Sequence, residues 1–310
     1  MRNNTQSLSR RRIWKYGPLY FMMIPGMTYL LINNYLPMFG ISIAFKNIDY
    51  AKGIWNSDWV GFQNFKFLFQ SADAFIITRN TILYNLAFII IGLIVGVGFA
   101  ILLNEIKSKA ATKAYQSIIL LPYLISMVLV SYLVFSMLSI ETGFLNKTIL
   151  PALGIEPISW YNEPNYWPYI LVFVNVWKSA GYSCIVYLAA IIGIDPEYYE
   201  AAKLDGATKW QQIRTITIPL ITPIIIMLLI LNIGRIFYSD FGLFYQVPMN
   251  SGPLYDVTST IDTYVFRGLM QLGDIGMASA AGLYQSIVGF ILVIFSNYVV
   301  RKLSKDNALF

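Results

Sequence analysis

Six long apolar stretches divide this chain, each separated from the next by a polar segment. A membrane-spanning helix takes about 20 mainly apolar residues. The pattern therefore predicts spans over roughly 19–43, 81–103, 117–138, 166–192, 220–241 and 278–300. Pro25 and Pro37 interrupt the first, and Pro122 falls in the first turns of the third. Proline is tolerated in such helices where neighbouring helices satisfy the freed carbonyls. The expected class is an all-α membrane protein with an N-terminal segment over 1–18 and a six-helix spanning domain over 19–310.

One polar segment is patterned unlike the others. Over 195–219, Asp195 is placed as an N-cap, with Pro196 at the first helical position and Glu197 at the positive helix end. A helix over about 196–205 is predicted, ended by Gly206 in the left-handed conformation. A second helix is predicted over about 208–217. Pro219 then opens the fifth span, and Ile218 before it is pushed away from helical geometry. Tyr198, Tyr199, Leu204, Trp210 and Ile213 supply apolar contacts, and Ala201, Ala202, Gly206 and Ala207 a surface of small residues. On physical grounds the segment is either a docking element for a partner or an amphipathic connector lying on the membrane.

Composition fits the membrane reading. Apolar residues make up 57% and charged residues only 12% of 310, against about a quarter charged in soluble domains. The net charge of +6 raises the question of nucleic acid. The basic residues, however, sit at the chain ends and in alternate loops, with no basic stripe interleaved by aromatics. Histidine is absent and Cys184 is the single cysteine, so neither a disulfide framework nor a Cys/His zinc site is available.

Basic residues in short loops set orientation. Arg10, Arg11, Arg12 and Lys15, then Lys107, Lys109 and Lys113, then Lys203, Lys209 and Arg214, then Arg301 and Lys302 fall on one side. Both termini and the 195–219 segment are therefore expected in the cytoplasm of a cell membrane. Trp55, Trp59, Trp160 and Trp167 on the other side fit an interfacial aromatic belt. The run Ser9-Arg-Arg-Arg-Ile-Trp-Lys15 has the look of a twin-arginine export signal, but five further spans follow, which favours a positive-inside anchor. Gly92-Leu-Ile-Val-Gly96 and Gly276-Met-Ala-Ser-Ala-Ala-Gly282 carry small-residue spacing for helix contact without saying which helices meet.

Polar side chains inside spans are costly and default to functional candidates. The fifth span carries Asn232, Arg235, Tyr238, Ser239 and Asp240, with Asn232, Arg235 and Ser239 at helical spacing on one face. The fourth carries Asn175, Lys178 and Tyr182, again three and four apart, and the sixth Tyr284 and Gln285. They combine aromatic faces with hydrogen-bonding groups. The competing role for Arg235, Asp240 and Lys178 is structural ion pairing or snorkelling.

Glu200-Ala-Ala, three residues, Gly206, nine residues, Ile216, one residue and Ile218-Pro219 resembles the EAA motif of permease subunits in binding-protein-dependent ABC importers. Isoleucine replaces the usual leucine before the proline. Glu200-Ala-Ala-Lys-Leu-Asp-Gly-Ala207 is similar to the carbohydrate branch. Trp59-Val-Gly-Phe-Gln-Asn-Phe65, Arg79-Asn-Thr81, Ser251-Gly-Pro253 and Thr260-Ile-Asp-Thr-Tyr264 are similar to segments of MalF-type sugar permeases. Gly234-Arg-Ile-Phe-Tyr-Ser-Asp-Phe-Gly242 resembles the LplB-like branch, associated with complex saccharides.

The resemblance implies a type I, MetI-like permease core forming half of a saccharide pathway. Glu200, Ala201, Ala202, Asp205, Gly206 and Ala207 would couple it to an ABC ATPase dimer. Its implied partners are a second homologous permease, making a heterodimer, and a lipid-anchored or periplasmic solute-binding protein. The chain has no Gly-x-x-x-x-Gly-Lys-Ser/Thr loop, so ATP and magnesium belong to the ATPase and no cofactor is expected here. A permease for a peptide or polyamine shares the motif. A stand-alone secondary transporter would have no use for this loop and would show paired broken helices in two halves.

Overall fold

The computed structural model describes residues 16–66 and 72–303. Most of the expected 1–18 segment, including the twin-arginine-like run, lies outside the described residues. Helix α1, Gly17–Leu30, continues into a wider winding over Leu31–Tyr35 and a tighter one over Leu36–Phe45. A short antiparallel pair follows, β1 (Lys46–Asn47) with β2 (Asp58–Trp59), in the register Lys46↔Trp59. Asn64 pins this hairpin by donating its amide to the Ala44 and Lys46 carbonyls, at 3.0 and 2.9 Å.

The long helices are α2 (Ala72–Asn104), α5 (Trp167–Ile192), α8 (Ile218–Gly234) and α10 (Ile275–Leu303). Four helical runs are long and apolar enough to cross a membrane: Asp73–Asn104, Pro164–Ile192, Lys209–Gly234 and Ile275–Lys302. A fifth is available if a bent pair counts as one, α3 (Lys109–Leu124) with α4 (Met127–Leu138). The expected six spans are thus met only in coarser form, four uninterrupted helices and up to five crossings among the described residues.

The third span differs most from expectation. Instead of one helix over 117–138, the chain turns by 95° between α3 and α4. Ile125 and Ser126 are extended, with ψ of 133° and 149°. Ser126 Oγ accepts the Leu129 N–H, so this serine caps a new helix rather than continuing the old one. Pro122, in the last turn of α3, has no N–H to offer the helix ladder.

α2 and α5 pack along each other, α3 lies against α5, α8 against α10, and Leu36–Phe45 against α10. Between apolar helices in lipid, close backbone approach does much of the holding. A side chain at Gly96 would meet Ser183 Cβ at 2.9 Å and the Tyr187 ring, so this glycine joins α2 to α5. Gly92 has open space before it and Gly276 abuts Asn64, so the two small-residue patterns divide their members between contacts and openings.

Two apolar cores sit at opposite ends of α5. At one end Trp167, Leu171 and Val174 pack with Tyr84, Val130, Leu243 and Phe244. At the other Cys184, Tyr187, Leu188 and Ile191 pack with Ala100, Leu103 and Ile221. Trp167 is completely buried and its indole N–H donates to the Trp160 carbonyl at 2.7 Å, so it belongs to the core and not to an interfacial belt. Trp55 and Trp59 are exposed, Trp59 stacking on Phe45.

Candidate functional site: a polar cavity and an exposed capped turn

Between the two cores lies a cavity of about 520 Å³. From α5 it takes Asn175, Ser179, Ser183 and Tyr187, spaced by four so that one helical face lines it. From α2 come Asn85, Phe88, Ile89, Gly92 and Leu93, and from α8 come Leu229 and Asn232. The segment after α8 adds Arg235, Tyr238, Ser239 and Asp240.

That last group does not share a helix face. α8 ends at Gly234, and Arg235 caps it at φ −105°, ψ 10°. The expected fifth span over 220–241 is corrected accordingly. Asn232, Arg235 and Ser239 meet because the chain leaves the helix, not because of helical spacing. Gly234 lies against α10, where a side chain on Gly289 would meet the Gly234 carbonyl at 2.5 Å. The carbonyls released by the break are taken up by Asn85, whose amide donates to Ile236 and Tyr238 at 3.0 and 2.9 Å and to Thr81 on its own helix at 2.8 Å. Buried carbonyls need such partners.

Most of the polar residues picked out in the fifth and sixth spans are spent on holding this segment. Ser239 donates through its N–H and Oγ to Asp262 Oδ2, at 2.7 and 2.8 Å, and pairs with Thr260 Oγ1 at 2.7 Å. Thr260 caps α9 (Ile261–Arg267). Asp240 Oδ1 accepts the Leu243 N–H at the start of the winding Gly242–Gln246. Tyr238 bonds Ser286 on α10 at 2.8 Å. Gln285 donates to the Phe237 carbonyl at 2.6 Å, and Tyr284 sets its ring edge to face with Phe237, so both touch the broken segment without lining the cavity.

On α5 the expected face of Asn175, Lys178 and Tyr182 is divided. Asn175 lines the cavity, while the other two turn to α3. Lys178 Nζ donates to the carbonyls of Pro122, Tyr123 and Ile125, at the point where α3 stops. Tyr182 stacks on Tyr123 with centroids 5.0 Å apart. The sequence reading passed over Asn85, Ser179, Ser183 and Tyr187. The signal that could have found them is the same intramembrane polarity, with the serines four apart on α5.

The 195–219 segment forms the expected capped turn. Asp195 accepts the Glu197 N–H at 3.0 Å and opens α6, Pro196–Leu204. Gly206 has φ +78°, and the Ala207 and Gly206 N–H groups close onto the Ala202 and Lys203 carbonyls at 2.8 and 3.1 Å. This is a Schellman ending, which needs the left-handed residue. Thr208 and Gln211 form a reciprocal capping box that opens α7, Lys209–Gln212. Tyr199 bonds Thr217 at 2.9 Å, Gln212 donates to the Ala207 carbonyl, and Lys209 pairs with Glu105 at 2.6 Å, tying the turn to the α2–α3 loop.

The exit from the turn differs from expectation. Ile218 is helical, at φ −61°, ψ −48°, and α7 runs into α8 through a wider winding over Ile213–Thr217. Ile218 N–H reaches the Ile213 carbonyl, five residues back, and the widened turn accommodates the ring of Pro219. The outward face of the turn stays open: Glu200, Ala201, Asp205 and Gly206 are exposed, Ala202 and Ala207 half-buried, Leu204 90% and Trp210 68% exposed.

With this geometry in hand, the chain can be set beside known proteins. Residues 88–305 match the family described as binding-protein-dependent transport system inner membrane component. Protein LplB of Bacillus subtilis (strain 168) is 35% identical over 289 residues, covering 93% of this chain and 90% of LplB. The polygalacturonan/rhamnogalacturonan transport system permease protein YteP of the same organism is 34% identical over 289 residues, covering 93% and 89%. A chain in the crystal structure of a bacterial alginate ABC transporter, in complex with an alginate pentasaccharide-bound periplasmic protein, superposes with a TM-score of 0.85. It is 34% identical, with 95% of this chain and 98% of that one covered.

Proposed function

The chain belongs to the binding-protein-dependent transport system inner membrane components, and on that premise we propose that it forms one half of the passage of an ATP-driven importer for a saccharide. It is a multi-pass membrane permease subunit and not an enzyme. The saccharide class is supported by the relatives, among them a polygalacturonan permease and an alginate transporter. It is also supported by the cavity, which sets the Phe88 and Tyr187 rings beside amides and hydroxyls.

In this reading the passage is completed by a second, homologous permease chain, with six crossings in each half of a type I, MetI-like core. Apolar surface suited to such a neighbour and to lipid is plentiful: no residue of Gly17–Leu30 is buried. A solute-binding protein, periplasmic or lipid-anchored, delivers the saccharide from outside. The termini and α6–α7 face the cytoplasm, where an ABC ATPase dimer binds ATP and magnesium.

The open, self-capped face of α6 is the observation that carries the coupling role. Leu204 stands exposed beside Glu200, Asp205 and Gly206, on a turn braced to α2–α3 and α8. Docked in an ATPase cleft, it would receive motion and pass it along the continuous α7–α8 run to the cavity.

Co-purification with the ATPase tests this. Glu200→Arg and Gly206→Leu should abolish capture, while Gly206→Asn, which tolerates φ > 0, should keep most of it. Capture of the ATPase by Glu200→Arg at the wild-type level would remove the coupling role. The saccharide class is tested separately by ATP hydrolysis of the reconstituted complex with a glycan-loaded binding protein. No stimulation by any saccharide would end that reading.

A further inference from the structure

We propose that the cavity is built for an anionic saccharide, and that the Arg235 guanidinium engages its carboxylate. This rests on the saccharide reading above and narrows it.

The Asn85 N–H groups are spent on three carbonyls, Ser179 on the Asn175 carbonyl, Tyr238 on Ser286, and Ser239 on Asp262 and Thr260. Asp240 is the one carboxylate lining the cavity, and its Oδ1 accepts the Leu243 N–H at 3.1 Å. Among the described residues that line the cavity, the side chains of Arg235, Asn232, Asn175, Ser183 and Tyr187 have no hydrogen bond or ion pair. Arg235 is the one cation among the lining residues, and it is exposed.

The other basic groups near the membrane interior are occupied. Arg79 donates to Asn80 Oδ1 and the Asp256 carbonyl. Arg267 donates to Ser259 Oγ at 2.7 Å and lies 4.2 Å from the Tyr255 ring centroid. Lys178 is held by three carbonyls. An unpaired guanidinium at this depth is costly unless it faces water and a ligand. Its planar fork matches a carboxylate in bidentate fashion, which an ammonium does not. The free amides of Asn232 and Asn175 each offer donor and acceptor, as sugar hydroxyls require. Ser183 adds a hydroxyl, and Tyr187 an aromatic face. The unpaired groups thus comprise one site for negative charge and several for neutral hydroxyls, the make-up of a uronate residue.

The test uses the assembled importer, with partner permease and ATPase, in nanodiscs. Calorimetry would compare binding of tetragalacturonate and tetramannuronate with the same chains after reduction of their carboxyls to alcohols. The wild type should bind at least one uronate about tenfold or more tighter than its reduced counterpart. Arg235→Gln should erase that preference, and Arg235→Lys should keep part of it. Equal affinities in the wild type, or a preference surviving Arg235→Gln, would overturn the proposal while leaving the saccharide reading intact. Failure of all four glycans to bind would count against both readings.

Discussion

Gly181 and Gly206 show at the residue scale how differently one residue type is used. Gly206 has empty space where a side chain would go, and is required because φ is +78°. Gly181, helical and buried on α5, is required because α3 passes directly over it: an added Cβ would sit 2.8 Å from Leu120 Cα and closer still to the Ile119 carbonyl. Gly181→Ala should therefore push α3 from α5 and lower stability by about 1–3 kcal/mol. Thermal unfolding in detergent would show it as a lower midpoint, and an unchanged midpoint would mean that the two helices separate without cost. Gly206 was legible in the chain, since a glycine between two capped helical patterns marks a turn. Gly181 was not, because crowding by a distant helix leaves no local signal. The same holds for Lys178, where three carbonyls from another helix decide what an intramembrane lysine does.

The breaks matter most at the scale of elements. Hydropathy sees α3–α4 as one apolar run and α8 with its following segment as another, because lipid and protein interior are equally apolar. What divides them is hydrogen bonding: Ser126 caps α4, Lys178 gathers carbonyls at the end of α3, and Asn85 gathers those beyond α8. Lys178→Met should leave the Tyr123 and Ile125 carbonyls unsatisfied at a cost of about 1–3 kcal/mol. It should also loosen the bend, with Lys178→Arg recovering part of the loss. Scanning fluorimetry and substrate-stimulated ATP hydrolysis would both report it; a Lys178→Met complex with native midpoint and native stimulation would refute the clamp. The capped turn at 195–212 was predictable nearly residue by residue, since caps are local. Its continuous exit into α8 was not. The preference of a residue before proline for extended geometry yields here to a widened turn that makes room for the ring.

The whole molecule, with its paired helices, places a polar cavity between two apolar cores and an exposed, capped turn at one end of the bundle. The cytoplasmic position of that turn is open to a direct test, because Cys184 is 1% exposed and the chain has no other cysteine. Leu204→Cys should react with a membrane-impermeant maleimide in inside-out vesicles and not in intact cells, and Trp55→Cys should do the reverse. Labelling of Leu204→Cys from outside would invert the orientation. The sequence by itself determined the membrane class, the capped turn with its left-handed glycine and the family, because hydropathy, capping and motif spacing are all carried by neighbouring residues. Only the tertiary structure decided where spans break and which polar side chains stay free. Whether a buried polar group is spent or available depends on carbonyls and carboxylates far away in the chain, and only packing brings them within reach.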